Sequence, residues 1–447
     1  MKAYEKGISL SIWTLSWPIF IEVFLQLLVG NIDQLMMSHY SPQAVAAVAN
    51  ANQILNIFIM LIVMSTATTI LIAQYLGARN QSKLSEVCTV SLVLNFLFSS
   101  IAAVFFITCH EWIFTWLGIP PETMSDTSMY TTIVAAGLPI QAMYYALVAV
   151  FRGHSLTRIT MYIALVMNVI HIITNYVLIF GHGPIPSLGV LGVSISTWLS
   201  KVVGLVIIGY TFKKLLTLEV SFRFLKPFPW HTIKSLLHIS IPSGGETMSY
   251  QLSQTTIMKM VNILGLAVIN TKVYVSAIAM LCYVYTIALA NASQVIVGFL
   301  MGAKRQEEVS NRVWHSMFLA IAISGGLATF FYLISDVVLS VFTTDPEILS
   351  LAHTVLLVEI FVELGRAVNI VMVGCLQAAG DIRTPMLVGI FGMWLCAVPL
   401  SYLFGIYWGW GLVGIWVAMA ADEILRGLLF VYRWYSGKWK NKRLIEA

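Results

Sequence analysis

The chain repeats itself. Tyr75 to Arg79 (YLGAR) returns as Leu300 to Lys304 (LMGAK), and Ile113 to Glu122 returns at the same offset of 225 residues as Val338 to Glu347. Phe151 to Met161 aligns in the same way with Leu376 to Met386 through Arg158/Arg383 and Met161/Met386. Leu188 to Gly192 (LGVLG) echoes Trp410 to Gly414 (WGLVG) at an offset of 222. Matched segments in one order mean a duplicated unit, and in an apolar chain such a duplication points to a carrier built from two halves around a central path.

The chain is that apolar. Of its 447 residues, 59% are hydrophobic and 10% charged, with a mean hydropathy of +0.85, outside the range of a water-soluble domain. Unbroken apolar runs favour helices, since strands of a membrane barrel would alternate over about ten residues. About 20 helical residues cross the hydrocarbon, and twelve runs are long enough: 11–37, 45–76, 86–110, 128–151, 159–181, 189–213, 234–262, 273–301, 313–335, 349–376, 385–407 and 411–435. The first is too long, and with Glu22 and Asp33 too charged, for a cleaved leader. The expected fold is therefore an all-α integral membrane protein, with twelve transmembrane helices in two six-helix lobes related by pseudo-two-fold symmetry. Residues 1–216 form the N-lobe, 217–232 a cytoplasmic linker and 233–447 the C-lobe.

Lys and Arg set the orientation. One side of the membrane collects Lys2, Lys6, Arg79, Arg152, Lys213, Lys214, Arg223, Lys226, Arg383, Arg433 and Arg443 among others, and the opposite loops hold only Lys272. Both termini are expected in the cytoplasm. The formal charge of +5 thus reflects topology and not nucleic-acid binding, because no aromatic-lined basic patch is present. Cys88, Cys109, Cys282, Cys375 and Cys396 show no metal-ligand or redox spacing. No phosphate-binding glycine loop appears, nor an HExxH or Ser/His constellation, so neither an enzyme nor a cofactor is expected.

Pro18 and Pro242 lie early in spans 1 and 7, each four residues before a carboxylate, Glu22 and Glu246. Proline removes a helix-ladder bond, so each is a candidate bend, static or moving.

In this order, Trp17-Pro18 with Asn31 to Asp33, Gly77 to Arg79, Leu188 to Val193, and Gly380 to Pro385 resemble the multidrug and toxic compound extrusion family over nearly the whole chain. The likeness is nearer to its DNA-damage-inducible prokaryotic branch than to the plant carriers. It implies a cation-coupled secondary exporter whose N- and C-lobes face each other across a V-shaped cavity. It also implies coupling through an aspartate of the first helix, here Asp33, with a span 4 tyrosine matched by Tyr130 and a span 6 threonine matched by Thr197.

Asp33 sits roughly 6–9 Å below the outer surface. A charge at the bilayer core costs about 2.5–3.5 kcal/mol even on the lenient scale, so such a residue is either functional or a satisfied interfacial acceptor. Span 5 departs from the family pattern. Asn175 stands where an acidic residue is usual and His171 where an asparagine is usual, with Asn168 on the same helix face. One carboxylate fewer weakens a sodium site, whereas His171 titrates near neutral pH or serves as a helix-to-helix hydrogen-bond partner. Proton antiport through Asp33 is the expectation, with sodium the alternative coupling ion.

Span 6 places Lys201 deep in the membrane, and its counterpart at the 222 offset is Glu423. Glu363 and Arg366, like Glu423 and Arg426, stand one turn apart, as self-neutralising pairs or as a C-lobe polar cluster with Glu246 that binds a substrate cation. Methionines and aromatics suit small organic cations as cargo. The competing function is a flippase for lipid-linked saccharides. A duplicated carrier needs no second copy, so a plasma-membrane monomer is expected.

Overall fold

A computed structural model describes residues 11–55 and 59–445. Lys2 and Lys6, used above for orientation, and residues 56–58 of the expected second span lie outside them. Among the described residues the chain is helical, and the helices follow the twelve expected spans. The first six spans are α1 (Ile12–Tyr40), α2 with α3 (Pro42–Leu55 and Ile59–Gly77), α4 (Gln81–Leu117), α5 with α6 (Pro121–Ala136 and Leu138–Gly153), α7 (Thr157–Phe180) and α8 (Gly189–Leu215). The second six are α9 (Trp230–Ile263), α10 (Leu266–Gly302), α11 (Gln306–Leu333), α13 (Pro346–Ala379), α14 (Arg383–Tyr407) and α15 (Gly411–Tyr435), with the short α12 (Ser335–Ser340) between α11 and α13.

Eight of these helices are long and apolar enough to cross a bilayer by themselves, and α5 with α6, bent by 46° at Gly137 just before Pro139, makes a ninth span. The helices α9 and α15 fall short of that test because they carry polar side chains, including Glu246, Asp422, Glu423 and Arg426. Helix α1 runs unbroken through Pro18 and α9 through Pro242.

The duplication is visible in backbone geometry. Arg79 and Lys304 both adopt left-handed φ values, 56° and 60°. After them, Asn80 N donates to Tyr75 O at 3.0 Å and Arg305 N to Leu300 O at 2.9 Å. Ser155 (φ 61°) and Gly380 (φ 99°) are a second such pair, closed by Leu156 N to Phe151 O and Asp381 N to Leu376 O, both 2.9 Å. The LGVLG-type motif explains itself in the same way. Its first glycine, Gly189 or Gly411, takes a positive φ. Its second lets two backbones touch: a Cβ would lie 2.6 Å from Leu178 O at Gly192, and 2.6 Å from Phe404 C at Gly414. In lipid the apolar surroundings give helices little reason to associate, so such close small-residue contacts matter.

Two compact units result. One comprises Ile21–Ser240, and the other takes the start of α1 as far as Phe20 together with Ile241 onward. The membership of α1 and of α9 thus changes within three residues of Pro18 and Pro242. In the first unit Met37, Ala51, Tyr130, Ile179 and Val193 pack together. In the second, Ile257, Val275, Val355, Val362 and Trp416 do.

Arg152, counted above among the basic residues of one membrane side, stands in a helix and not in a loop. It lies in the last turn of α6 and pairs with the fully buried Glu22 of α1, Nη2 to Oε1 2.9 Å. The approach misses hydrogen-bond direction, since that oxygen and Arg152 Nε are left without a hydrogen bond. Thr160 of α7 donates to the other oxygen at 3.0 Å. Breaking a buried pair on one side strands the other charge and costs about 3–5 kcal/mol. Glu22→Ala is therefore expected to lower the apparent melting temperature of the purified protein sharply. The double replacement Glu22→Leu with Arg152→Leu should recover most of the loss, measured by thermal unfolding in detergent.

Candidate functional site

In the first unit Asp33, eleven residues beyond Glu22 on α1, faces α7. Eleven residues are about three helical turns, so both carboxylates look out from one side of the helix. They meet a polar stripe along α7 formed by Asn175, His171, Asn168, Thr160 and Thr157, all buried. Asp33 Oδ1 accepts from His171 Nε2 at 2.9 Å and from Asn175 Nδ2 at 2.5 Å, and Oδ2 stands 3.2 Å from His171 Nε2. The aspartate side chain keeps 19% of its exposure and the histidine 5%, so the pair is largely shielded from water.

The far nitrogen of the imidazole is tuned by α8. Ser200 Oγ lies 3.3 Å from His171 Nδ1 and 2.9 Å from Thr197 O. A hydroxyl has one hydrogen and two lone pairs. With a neutral imidazole it donates to Nδ1, and with an imidazolium it accepts from Nδ1–H and turns its own hydrogen to Thr197 O. The pocket therefore accommodates both protonation states of His171 without moving a helix.

Tyr130 of α5 is buried and donates to Asn52 Oδ1 at 3.3 Å. Asp33 acts on the phenol electrostatically, and Thr197 stands within its hydrogen-bonding reach while its own hydroxyl bonds Val193 O at 2.9 Å. His171 and Asn175 thus hold the Asp33 carboxylate directly, and Tyr130, with Thr197 beside it, lies within its electrostatic reach. Asn52 and Ser200 complete the group, and nothing in the sequence pattern singled them out. Asn175 Oδ1 and Asn168 Nδ2 are buried without partners. Lys201 lies over the Tyr145 ring, 5.8 Å from its centroid.

The second unit gathers more charge. Arg366 on α13 pairs with Glu359, Nη1 to Oε1 3.2 Å, and with Glu363, and its guanidinium lies 4.9 Å from the centre of the Tyr283 ring. Trp416 Nε1 donates to Glu359 Oε2 at 2.6 Å, and Ser324 donates to Glu363. On α15, Arg426 holds Asp422 through Nε at 2.9 Å and Glu423 through Nη2 at 2.9 Å, and Asn369 donates to Glu423 Oε2 at 2.6 Å. Gly392 makes room on α14, where a Cβ would lie 2.7 Å from Arg426 Cδ.

Glu246 is not part of these pairs. It packs over Gly389, whose added Cβ would lie 3.1 Å from Oε1, and it has no hydrogen bond among the described residues, although it shares the electrostatic field of Arg426. Four carboxylates face two guanidinium groups in the two clusters, and Glu246 adds a fifth. No group of three or more His, Cys, Asp or Glu side chains suited to a metal ion occurs among the described residues.

His171 supplies one of the two donors to Asp33, and a hydrogen bond to a charged group is worth about 1.5–3 kcal/mol. His171→Ala is expected to lower apparent stability at neutral pH by that order. Thr132→Ala, which removes a hydroxyl bonded only within its own helix, should change it little when both are followed by thermal unfolding.

The MatE family model matches residues 18–177 and 242–403, one match in each half of the chain. The "Uncharacterized transporter YisQ" of Bacillus subtilis is 36% identical over 436 residues, covering 97% of this chain and 95% of that protein. The "Probable multidrug resistance protein NorM" of Thermotoga maritima is 25% identical, covering 96% of this chain and 93% of the relative. Among solved structures, a mutant of the Vibrio cholerae MATE transporter VcmN superposes with a TM-score of 0.89 at 16% identity, over 99% of both chains.

Proposed function

The chain belongs to the MatE family of multi-pass membrane transporters, and on that premise we propose that it is a proton-driven antiporter that exports small organic, mainly cationic compounds by alternating access. The bond from His171 and Asn175 to Asp33 carries this reading. Ionised, Asp33 holds the two α7 side chains through charge-assisted hydrogen bonds. A proton on Asp33 removes that charge and weakens the link between α1 and α7, so protonation biases one arrangement of α1 over another. Neutral cargo or lost affinity alone would not drive such a change; a differential interaction of the proton with the two arrangements does.

The donor set favours the proton over sodium. A hard cation wants several oxygen ligands, and this site offers one carboxylate with an imidazole already seated on it. Cationic cargo fits the second unit, whose buried clusters hold two more carboxylates than guanidinium groups. Buried charge of one sign demands compensation by protons or by a cation. The protein acts as a monomer in the plasma membrane, with the basic connections and both termini in the cytoplasm.

The test is efflux of ethidium from proteoliposomes under a proton gradient and, separately, a sodium gradient. Transport is expected with the proton gradient alone. Asp33→Asn should reduce it by about the 5–150-fold that a coupling energy of 1–3 kcal/mol spans. His171→Gln keeps a donor to Asp33 and should leave transport measurable. Sodium-driven efflux, or unchanged pH dependence in Asp33→Asn, would overturn the assignment. Absence of efflux under both gradients would favour lipid-linked saccharide flipping.

A further inference from the structure

The segment between α8 and α9 does not hang free in water. Its backbone climbs along the start of α4. Gln81 Nε2 donates to Thr217 Oγ1 at 3.4 Å, Glu219 N to Ser85 Oγ at 3.2 Å, and Ser221 N to Thr89 Oγ1 at 3.4 Å. The spacing matches: two extended residues advance about 6.6 Å and one α-helical step of four residues about 6 Å. The segment returns at Thr232, which donates to Glu86, itself paired with Lys83 at 2.8 Å. Leu216 and Leu218 of the same segment are buried.

This path brings the linker to the membrane boundary. After Glu86, α4 carries no charged residue until Glu111, so Thr89 lies about 3 Å inside the apolar stretch that starts at Val87. There the 3-10 turn Phe222–Leu225 begins. In this turn and after it three aromatic side chains are turned to the surface, Phe222 at 80% exposure, Phe228 at 67% and Trp230 at 65%, while Phe224 and Leu225 are half-buried. Phe228 and Trp230 stack, with centroids 6.2 Å apart. Lys213, Lys214, Arg223, Lys226 and Lys234, all exposed, flank them in the chain, against two carboxylates: Glu219, which pairs with Arg223 at the surface, and Glu86 of α4, which pairs with Lys83.

We infer that this linker is an interfacial anchor that seats Phe222, Phe228 and Trp230 in the headgroup region and holds anionic phospholipid through Arg223, Lys226 and the flanking lysines. Aromatic rings beside basic side chains suit that layer, where the ring meets the acyl boundary and the cation meets phosphate. The surface is shaped for a lipid because its height on α4 is set by the Thr217, Glu219 and Ser221 contacts and coincides with the onset of the apolar run.

Two measurements on the full chain in vesicles test this. With the five cysteines replaced, a nitroxide at position 222 or 228 should collide more often with oxygen than with a water-soluble nickel chelate. A label at position 81 should show the reverse. Independently, the wild-type protein extracted from an equal mixture of phosphatidylcholine and phosphatidylglycerol should retain phosphatidylglycerol selectively by native mass spectrometry. Arg223→Gln with Lys226→Gln should weaken that retention about fivefold per side chain removed. Labels that report water, or retention equal in the wild type and the double variant, would overturn the inference. An anionic protein partner in place of lipid would produce both of those negative results.

Discussion

A charge inside hydrocarbon has no water to fall back on, and that constraint organises the interior of this protein. Glu22 is answered by Arg152 and Thr160, Asp33 by His171 and Asn175, and the α13 and α15 carboxylates by Arg366 and Arg426. Each of these contacts joins different spans or fixes one turn of a span, so neutralising a charge and positioning a helix are the same act. The answer is incomplete at Glu22 Oε1 and Asp422 Oδ1, buried without a hydrogen bond, and at Glu246, which has none among the described residues, while Asp33 keeps partial exposure beside its imidazole partner.

Much of the architecture was legible in the sequence because membrane spans announce themselves by length and apolarity, and because the duplication shows at turns. Arg79 and Lys304 sit in matching left-handed turns, and Gly192 and Gly414 in matching close contacts. That His171 and Asn175 share a face was also legible, since i and i+4 on one helix do; that Asp33 meets them was what the family resemblance implied. Pairings between distant helices were not. Arg152 reads in sequence as one more loop cation, and only the rotation of α6 about its axis turns it toward Glu22. Asn52 to Tyr130 and Trp416 to Glu359 depend likewise on helix rotation and depth, which hydrophobic pattern alone does not fix.

The polar interior and the linker obey one rule from opposite sides. Within the units, most buried polar side chains find partners in the protein. At the boundary, the segment joining α8 to α9 gives its backbone donors to α4 and turns its rings and cations outward. Its position on α4 relates the depth of the first unit in the bilayer to the headgroups around it.

The two halves differ at one telling place. Glu22 and Glu246 occupy matching positions after Pro18 and Pro242, but the residue matching Arg152 is Gln377, which donates to Ser243 instead, at 3.2 Å. The first copy has a clamped carboxylate and the second a loose one. A protein assembled from two copies of the first half would keep every turn and glycine contact and still carry no unclamped acid at this depth. The frame is common to both halves, and at this position they differ by one cation.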